Sequence, residues 1–114
     1  MYKLYFYSTQ RGDVPAAKFI RTFPDNIRGK INKLIKRLEE HGPNLPRPYS
    51  DTLRDKIREL RVNFGNLDIR LLYFFSGSHI IITHGFCKKT QRTPDSEIHY
   101  AINCMNDFMK RGVN

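Results

Sequence analysis

Cysteine is scarce: Cys87 and Cys104 are the only two in 114 residues. Two thiols do not make a disulfide framework, and the expectation is that both stay reduced. Histidines are few and scattered. His79, His84 and His99 are spread along the chain and no H-x₃₋₅-H spacing is paired with a C-x₂-C, so neither a metal site nor a cofactor is expected. No apolar run approaches the roughly 20 residues needed to span a bilayer; the richest stretch is Leu71–Phe75. The aromatic opening Tyr2–Tyr7 is too short for a secretory hydrophobic core, and Ser8 to Asp13 is not a cleavage site. The expected setting is therefore the cytoplasm, away from any membrane. Internal repeats and low-complexity segments are missing as well.

Acidic residues are the other shortage. Eleven Asp+Glu stand against twenty Lys+Arg, a formal net charge of +9. A small domain this basic suggests a polyanionic partner, because each neutralised phosphate releases counterions. An acidic protein would answer the same charge, and a basic surface can also serve solubility alone. The length and the apolar content, 39%, are those of one globular domain spanning residues 1–114.

Periodicity supplies the elements. Tyr2–Tyr7 reads as a strand. Gln10-Arg11-Gly12-Asp13 reads as a turn, with Asp13 capping a short helix whose first turn holds Val14 and Pro15 and which continues through Ala16–Thr22. After Pro24, Ile27, Ile31, Leu34, Ile35 and Leu38 form one apolar helical stripe, opposite Arg28, Lys30, Lys33, Lys36 and Arg37. Gly42-Pro43 ends that helix near His41, and the proline-rich Asn44–Ser50 reads as an extended loop. Three strands follow. Asp51–Phe64 alternates in its second half, Leu67–Phe75 is nearly all apolar and so central, and His79–Phe86 is the third. Gly65-Asn66 and Ser76-Gly77-Ser78 are the turns between them. A last helix opens at Thr93-Pro94, with Thr93 as cap and a stripe of Ile98, Ala101, Ile102, Met105, Phe108 and Met109. The order β-α-α-β-β-β-α implies an antiparallel meander with helices on one face or edge, an α+β fold.

Charge inside apolar strands is the first chemical signal. Arg70 interrupts Ile69-Arg70-Leu71-Leu72-Tyr73, and an arginine is costly to bury unpaired. Either it forms an ion pair with Asp68 or Glu59, or snorkels to an edge, or its guanidinium faces an open surface and can meet a phosphate. Glu59 and Arg61 share a strand face and could be a plain cross-strand pair. The second signal is Gly85-Phe86-Cys87-Lys88-Lys89-Thr90-Gln91-Arg92, where a strand runs into a basic loop before a helix N-terminus, a setting suited to phosphate. Arg61, Arg70 and Lys88–Lys89 sit on or just past neighbouring strands, so a meander could bring them onto one concave face.

Glu59-Leu60-Arg61, Ile69-Arg70-Leu71-Leu72-Tyr73 and His84-Gly85-Phe86-Cys87-Lys88-Lys89-Thr90-Gln91-Arg92-Thr93-Pro94, in this order and spacing, resemble the pattern of the RelE/ParE toxin superfamily. The likeness is closest to its HigB-like branch, also found as phage-derived toxins; Leu45-Pro46-Arg47-Pro48-Tyr49 resembles that branch's proline loop. The resemblance runs from about Ile27 to Ala101. It implies a compact α+β toxin with a mainly antiparallel sheet, two N-terminal helices and a C-terminal helix. It implies metal-independent cleavage of mRNA on the translating ribosome, in which the ribose 2′-OH attacks the adjacent phosphate in line while basic side chains orient the phosphate and move protons. It also implies a cognate protein antitoxin, of helix-turn-helix type, that masks the basic face, displaces an element beside it, or docks on the basic second helix.

Carried over by position, Arg70 takes the family's strand arginine and Lys88 and Lys89 its basic pair. Arg61 joins them as a catalytic candidate. Glu59, Arg58 and Arg92 are RNA-binding candidates. His99, after Ser96-Glu97-Ile98, stands where the likeness sets a C-terminal tyrosine. Two other readings compete: a ParE-like toxin that inhibits gyrase and cuts no RNA, and a non-catalytic nucleic-acid-binding module.

Overall fold

The computed structural model describes residues 2–111. In chain order these form β1 (Lys3–Phe6), α1 (Pro15–Arg21), α2 (Asp25–His41), β2 (Ser50–Thr52), β3 (Arg58–Phe64), β4 (Leu67–Ser76), β5 (His79–Cys87) and α3 (Asp95–Arg111). The five strands make one sheet in the order β1-β5-β4-β3-β2. β1 lies parallel to β5 and every other pairing is antiparallel. The α+β class and the mainly antiparallel sheet are as the sequence predicts. Both two-residue hairpin loops carry a positive φ at their first residue, Gly65 (59°) and Gly77 (60°), which suits the twist of the flanking strands.

Three local expectations change. Asp51–Phe64 is not one strand. It breaks into β2 and β3, joined by a turn at Arg54–Ile57 in which the Ile57 N–H donates to the Arg54 carbonyl at 2.9 Å. Asp13 does not cap α1: the N-cap is Val14, and the Asp13 N–H instead donates to the Thr9 hydroxyl. Nor does Thr93 cap α3, because its hydroxyl is turned inward to Glu59.

The helices also do not share one face. α1 and α2 cover one side of the sheet, burying Ala16, Ile20, Ile31, Leu34 and Leu38 against Leu60, Val62, Ile69, Leu71, Tyr73, Ile80 and Ile82. α3 covers the other side, setting Ala101 and Cys104 against Leu72, Phe74 and Ile81. That is why β4 is buried at six successive positions, Ile69 to Phe74, since a strand with both faces covered needs apolar residues on both. Burial also pushes the Cys104 thiol up to about 11. On the α1 side there is no room for a side chain at Gly85, where an added Cβ would lie 2.4 Å from the Phe19 ring.

The α3 side sets up the site. Odd residues of β4 face α1 and α2, so Asp68 and Arg70 share the α3 side with Leu72 and Phe74. The register pairs Glu59 with Leu72 and Leu72 with His84, and it pairs Arg61 with Arg70 and Arg70 with Phe86. The apolar part of this surface lies under α3. The charged part lies at its N-terminal end.

Candidate functional site

Arg61 and Arg70 stand directly opposite each other on β3 and β4, and two like charges so placed repel. Glu59 resolves the conflict. Its Oε2 accepts from Arg61 Nε and from Arg70 Nη1, each at 3.0 Å. Its Oε1 accepts from the Thr93 hydroxyl at 2.6 Å. The carboxylate is 1% exposed, so these three bonds replace water. Arg70, 6% exposed, also grips Asp68 with two bonds, Nε to Oδ1 at 2.9 Å and Nη2 to Oδ2 at 3.1 Å. Arg61 reaches Asp51 Oδ2 at 3.0 Å, and Arg47 meets Asp51 Oδ1 at 2.9 Å. Partial burial works to raise the Asp51 carboxyl, but hydrogen bonds from Arg47 and the Thr52 N–H outweigh it and hold the group below 3.8.

The result is a continuous chain of alternating charge: Asp68, Arg70, Glu59, Arg61, Asp51 and Arg47. Three carboxylates meet three guanidiniums, so its formal charge is zero. Of the readings open to Arg70, the ion-paired one is what forms, and with both of its possible partners at once.

Unpaired positive charge beside this network lies in the loop from Lys88 to Pro94. This loop is fastened at both ends to residues that Arg70 holds. At one end the Lys88 N–H donates to the Asp68 carbonyl at 2.7 Å; at the other Thr93 binds Glu59. Between them the Thr90 hydroxyl donates to the Arg92 carbonyl at 2.7 Å. Lys88, Lys89 and Arg92 belong to no ion pair among the described residues. Asp68, Lys88, Lys89, Thr90 and Gln91 line an open depression of about 680 Å³. Lys88, the first residue past β5, is half-buried and tied through its N–H to Asp68, whereas Lys89 is exposed.

The remaining candidates are dispersed. Arg58 pairs with Tyr73 and stands on the opposite side of the sheet, its guanidinium 5.3 Å from the Phe75 ring centre; strand alternation separates it from Glu59 and Arg61. His99 is exposed on α3 and joins no part of the chain of charges. Sequence reasoning passed over Asp51 and Arg47, which no local pattern ties to Arg61. It also passed over His84 as a site residue, although a histidine beside three isoleucines was a visible signal.

His84 is buried between strand and helix. One ring nitrogen lies 3.0 Å from Thr83 Oγ1 and the other 3.0 Å from Glu97 Oε1. Its ring packs on Phe86 and, at 4.6 Å, on Tyr100. Burial lowers its pKa below 6.5, although the hydrogen bond and charge of Glu97 pull upward. Among the described residues, no three His, Cys, Asp or Glu side chains converge as a metal-binding set, and no helix is long and apolar enough to cross a membrane.

No curated protein matches this sequence. A family model does: residues 18–106 match the one described as phage-derived protein Gp49-like (DUF891). That span takes in α2, the whole charge chain, the cation loop and most of α3, and the chain belongs to the phage-derived Gp49-like family.

Proposed function

We propose that this protein is the toxin of a type II toxin–antitoxin pair, a metal-independent endoribonuclease that cuts mRNA on the ribosome in the cytoplasm. Three things support the reading: the motif likeness to HigB-like toxins, membership of a phage-derived family, and the net charge of +9. The observation that carries it is the Lys88–Arg92 loop. It presents unpaired cations beside a neutral network, buried at Glu59 and Arg70, that fixes its two ends. A phosphate would meet Lys88, Lys89 and Arg92 rather than the guanidiniums of Arg61 and Arg70, whose charge is already answered.

The chemistry is a transesterification. The 2′ oxygen forms a bond to phosphorus as the bond to the 5′ oxygen breaks, leaving a 2′,3′-cyclic phosphate and a 5′-OH. Asp68, the carboxylate in the depression, takes the proton from the 2′-OH. A lysine of the pair stabilises the phosphorane charge and returns a proton to the departing oxygen. Arg70, Arg61 and Glu59 act as positioning residues. The ribosome supplies alignment of the RNA, which can be worth roughly 7–11 kcal/mol of barrier. The partner that silences the toxin is a helix-turn-helix antitoxin, expected from the adjacent reading frame.

The test adds purified protein to a translation extract and maps RNA ends in single-turnover time courses. Lys88→Ala should cut the rate about 10²–10³-fold, the worth of one oxyanion-type donor, while Lys89→Ala mainly weakens affinity. Equal, small losses at both would make the pair a general phosphate-attracting patch. Inhibited gyrase supercoiling with intact RNA would favour the ParE-like reading, and RNA binding with neither effect would leave a binding module.

A further inference from the structure

Beside the lysine depression, and sharing Thr90 with it, lies a second cavity of about 600 Å³ between the end of β2 and the start of α3. Its floor is apolar: Leu53, Pro94 and Ile98. Its rim carries Thr52, Thr90, Arg92 and the guanidinium of Arg54. An apolar floor with a few polar groups at this volume is the usual composition of a small-ligand pocket.

Arg54 decides what the cavity suits. Two carboxylates fix its guanidinium, Asp55 at 2.7 Å and Asp95 at 2.5 Å. Its charge is therefore answered and its plane, though exposed, is oriented between the two carboxylates, which favours a flat, neutral group stacked on it over a phosphate. The backbone is shaped to this end. Asp55 and Lys56 have φ of 53° and 72°, the signature of a type I′ turn usually made with asparagine and glycine. A glycine at position 55 would ease the backbone but remove one of the two carboxylates that grip Arg54. Unstacked RNA bases are commonly read by stacking on guanidinium planes with hydrogen bonds to their edges; Thr52 is among the lining residues, and Thr90, whose O–H donates to the Arg92 carbonyl, keeps its oxygen as an acceptor.

We propose that this cavity is a nucleobase subsite: it takes one unstacked base of single-stranded RNA, flat against the Arg54 guanidinium, beside the phosphate held by Lys88 and Lys89. The inference rests on the RNA-cleaving reading for the neighbouring phosphate. It adds a specificity pocket that the reading does not require.

A 2′-O-methyl RNA trinucleotide cannot be cut, because its 2′ oxygen is blocked, and it can therefore be titrated into the full-length protein at equilibrium. Saturable shifts of the Leu53 and Ile98 methyl resonances are expected. Arg54→Ala should weaken binding at least fivefold, the lower end of what one base stack contributes. Arg54→Lys should weaken it as much, since charge remains but the plane is lost. A matched trinucleotide with an abasic middle position should bind as weakly and be indifferent to either variant. Unchanged Leu53 and Ile98 methyl resonances in the free variants establish that the pocket is intact. Shifts confined to Lys88–Thr90, full affinity of Arg54→Lys, or full affinity of the abasic ligand would each overturn the subsite. A wild-type protein that cleaves nothing yet shows the pocket shifts and the Arg54 dependence would leave the subsite standing and remove the nuclease. Cleavage without those shifts would do the reverse.

Discussion

Arg70 and Glu59 are charges that the fold has taken almost wholly out of water, at 6% and 1% exposure. Such a pair contributes little beyond what an apolar pair of the same shape would, yet removing one partner strands the other, at about 3–5 kcal/mol. Arg70→Ala should therefore lower unfolding free energy by about that amount in urea titrations at neutral pH. A loss under about 1 kcal/mol, the scale of exposed pairs, would mean that Arg61 and Thr93 by themselves satisfy Glu59. Any loss of activity in this variant would then pass through the cation loop, whose two ends are tied to the residues Arg70 grips. The sequence itself offered an ion pair or an open guanidinium at position 70. It could not choose, because the choice depends on the β3–β4 register that sets Glu59, 11 residues away, beside Arg70.

At the scale of elements, α3 is held to the sheet near its N-terminus by Glu97 on His84 and near its C-terminus by Asp107 on the Tyr7 hydroxyl, at 2.5 Å. Burial pushes that phenol up to about 12. His84 makes the first attachment sensitive to acid. Thr83, Glu97, Phe86 and Tyr100 enclose it, and burial holds its folded pKa below 6.5. The unfolded chain takes up the proton at about the ordinary value, so it binds more protons than the native state below pH 6.5, and stability falls as pH drops through that window. Melting temperatures between pH 8 and 5 should show this fall, and His84→Asn should flatten it; an unaltered profile in the variant would place the acid-sensitive group elsewhere. The elements themselves were largely legible. The α2 stripe and the two glycine-led hairpins lie where local pattern puts them. The break between β2 and β3 was not, because Arg54-Asp55-Lys56-Ile57 contains neither glycine nor proline to mark a turn.

For the molecule as a whole, positive charge divides between two sides of the sheet. Lys88, Lys89 and Arg92 adjoin the α3 side, while Lys30, Lys33 and Lys36 are exposed on α2, which packs on the other. A short RNA cannot touch both. Binding of the 2′-O-methyl trinucleotide should fall with salt at a log–log slope of about −1.4, its two phosphates at roughly 0.7 each. The double variant Lys33→Glu with Lys36→Glu should leave that slope unchanged; a shallower slope would bring the RNA onto α2. The sequence by itself determined the helices, most of the strands, the α+β class and the basic character, because periodicity, turn residues and composition are local or additive. The apolar run Leu71–Phe75 of β4 is likewise a sign in the sequence that both faces are covered. Only the tertiary structure decided which of the basic residues are free. Arg61 is answered by Asp51 from 10 residues away and Arg70 by Glu59 from 11, and charges so far apart in sequence pair only where folding brings them within a few ångströms.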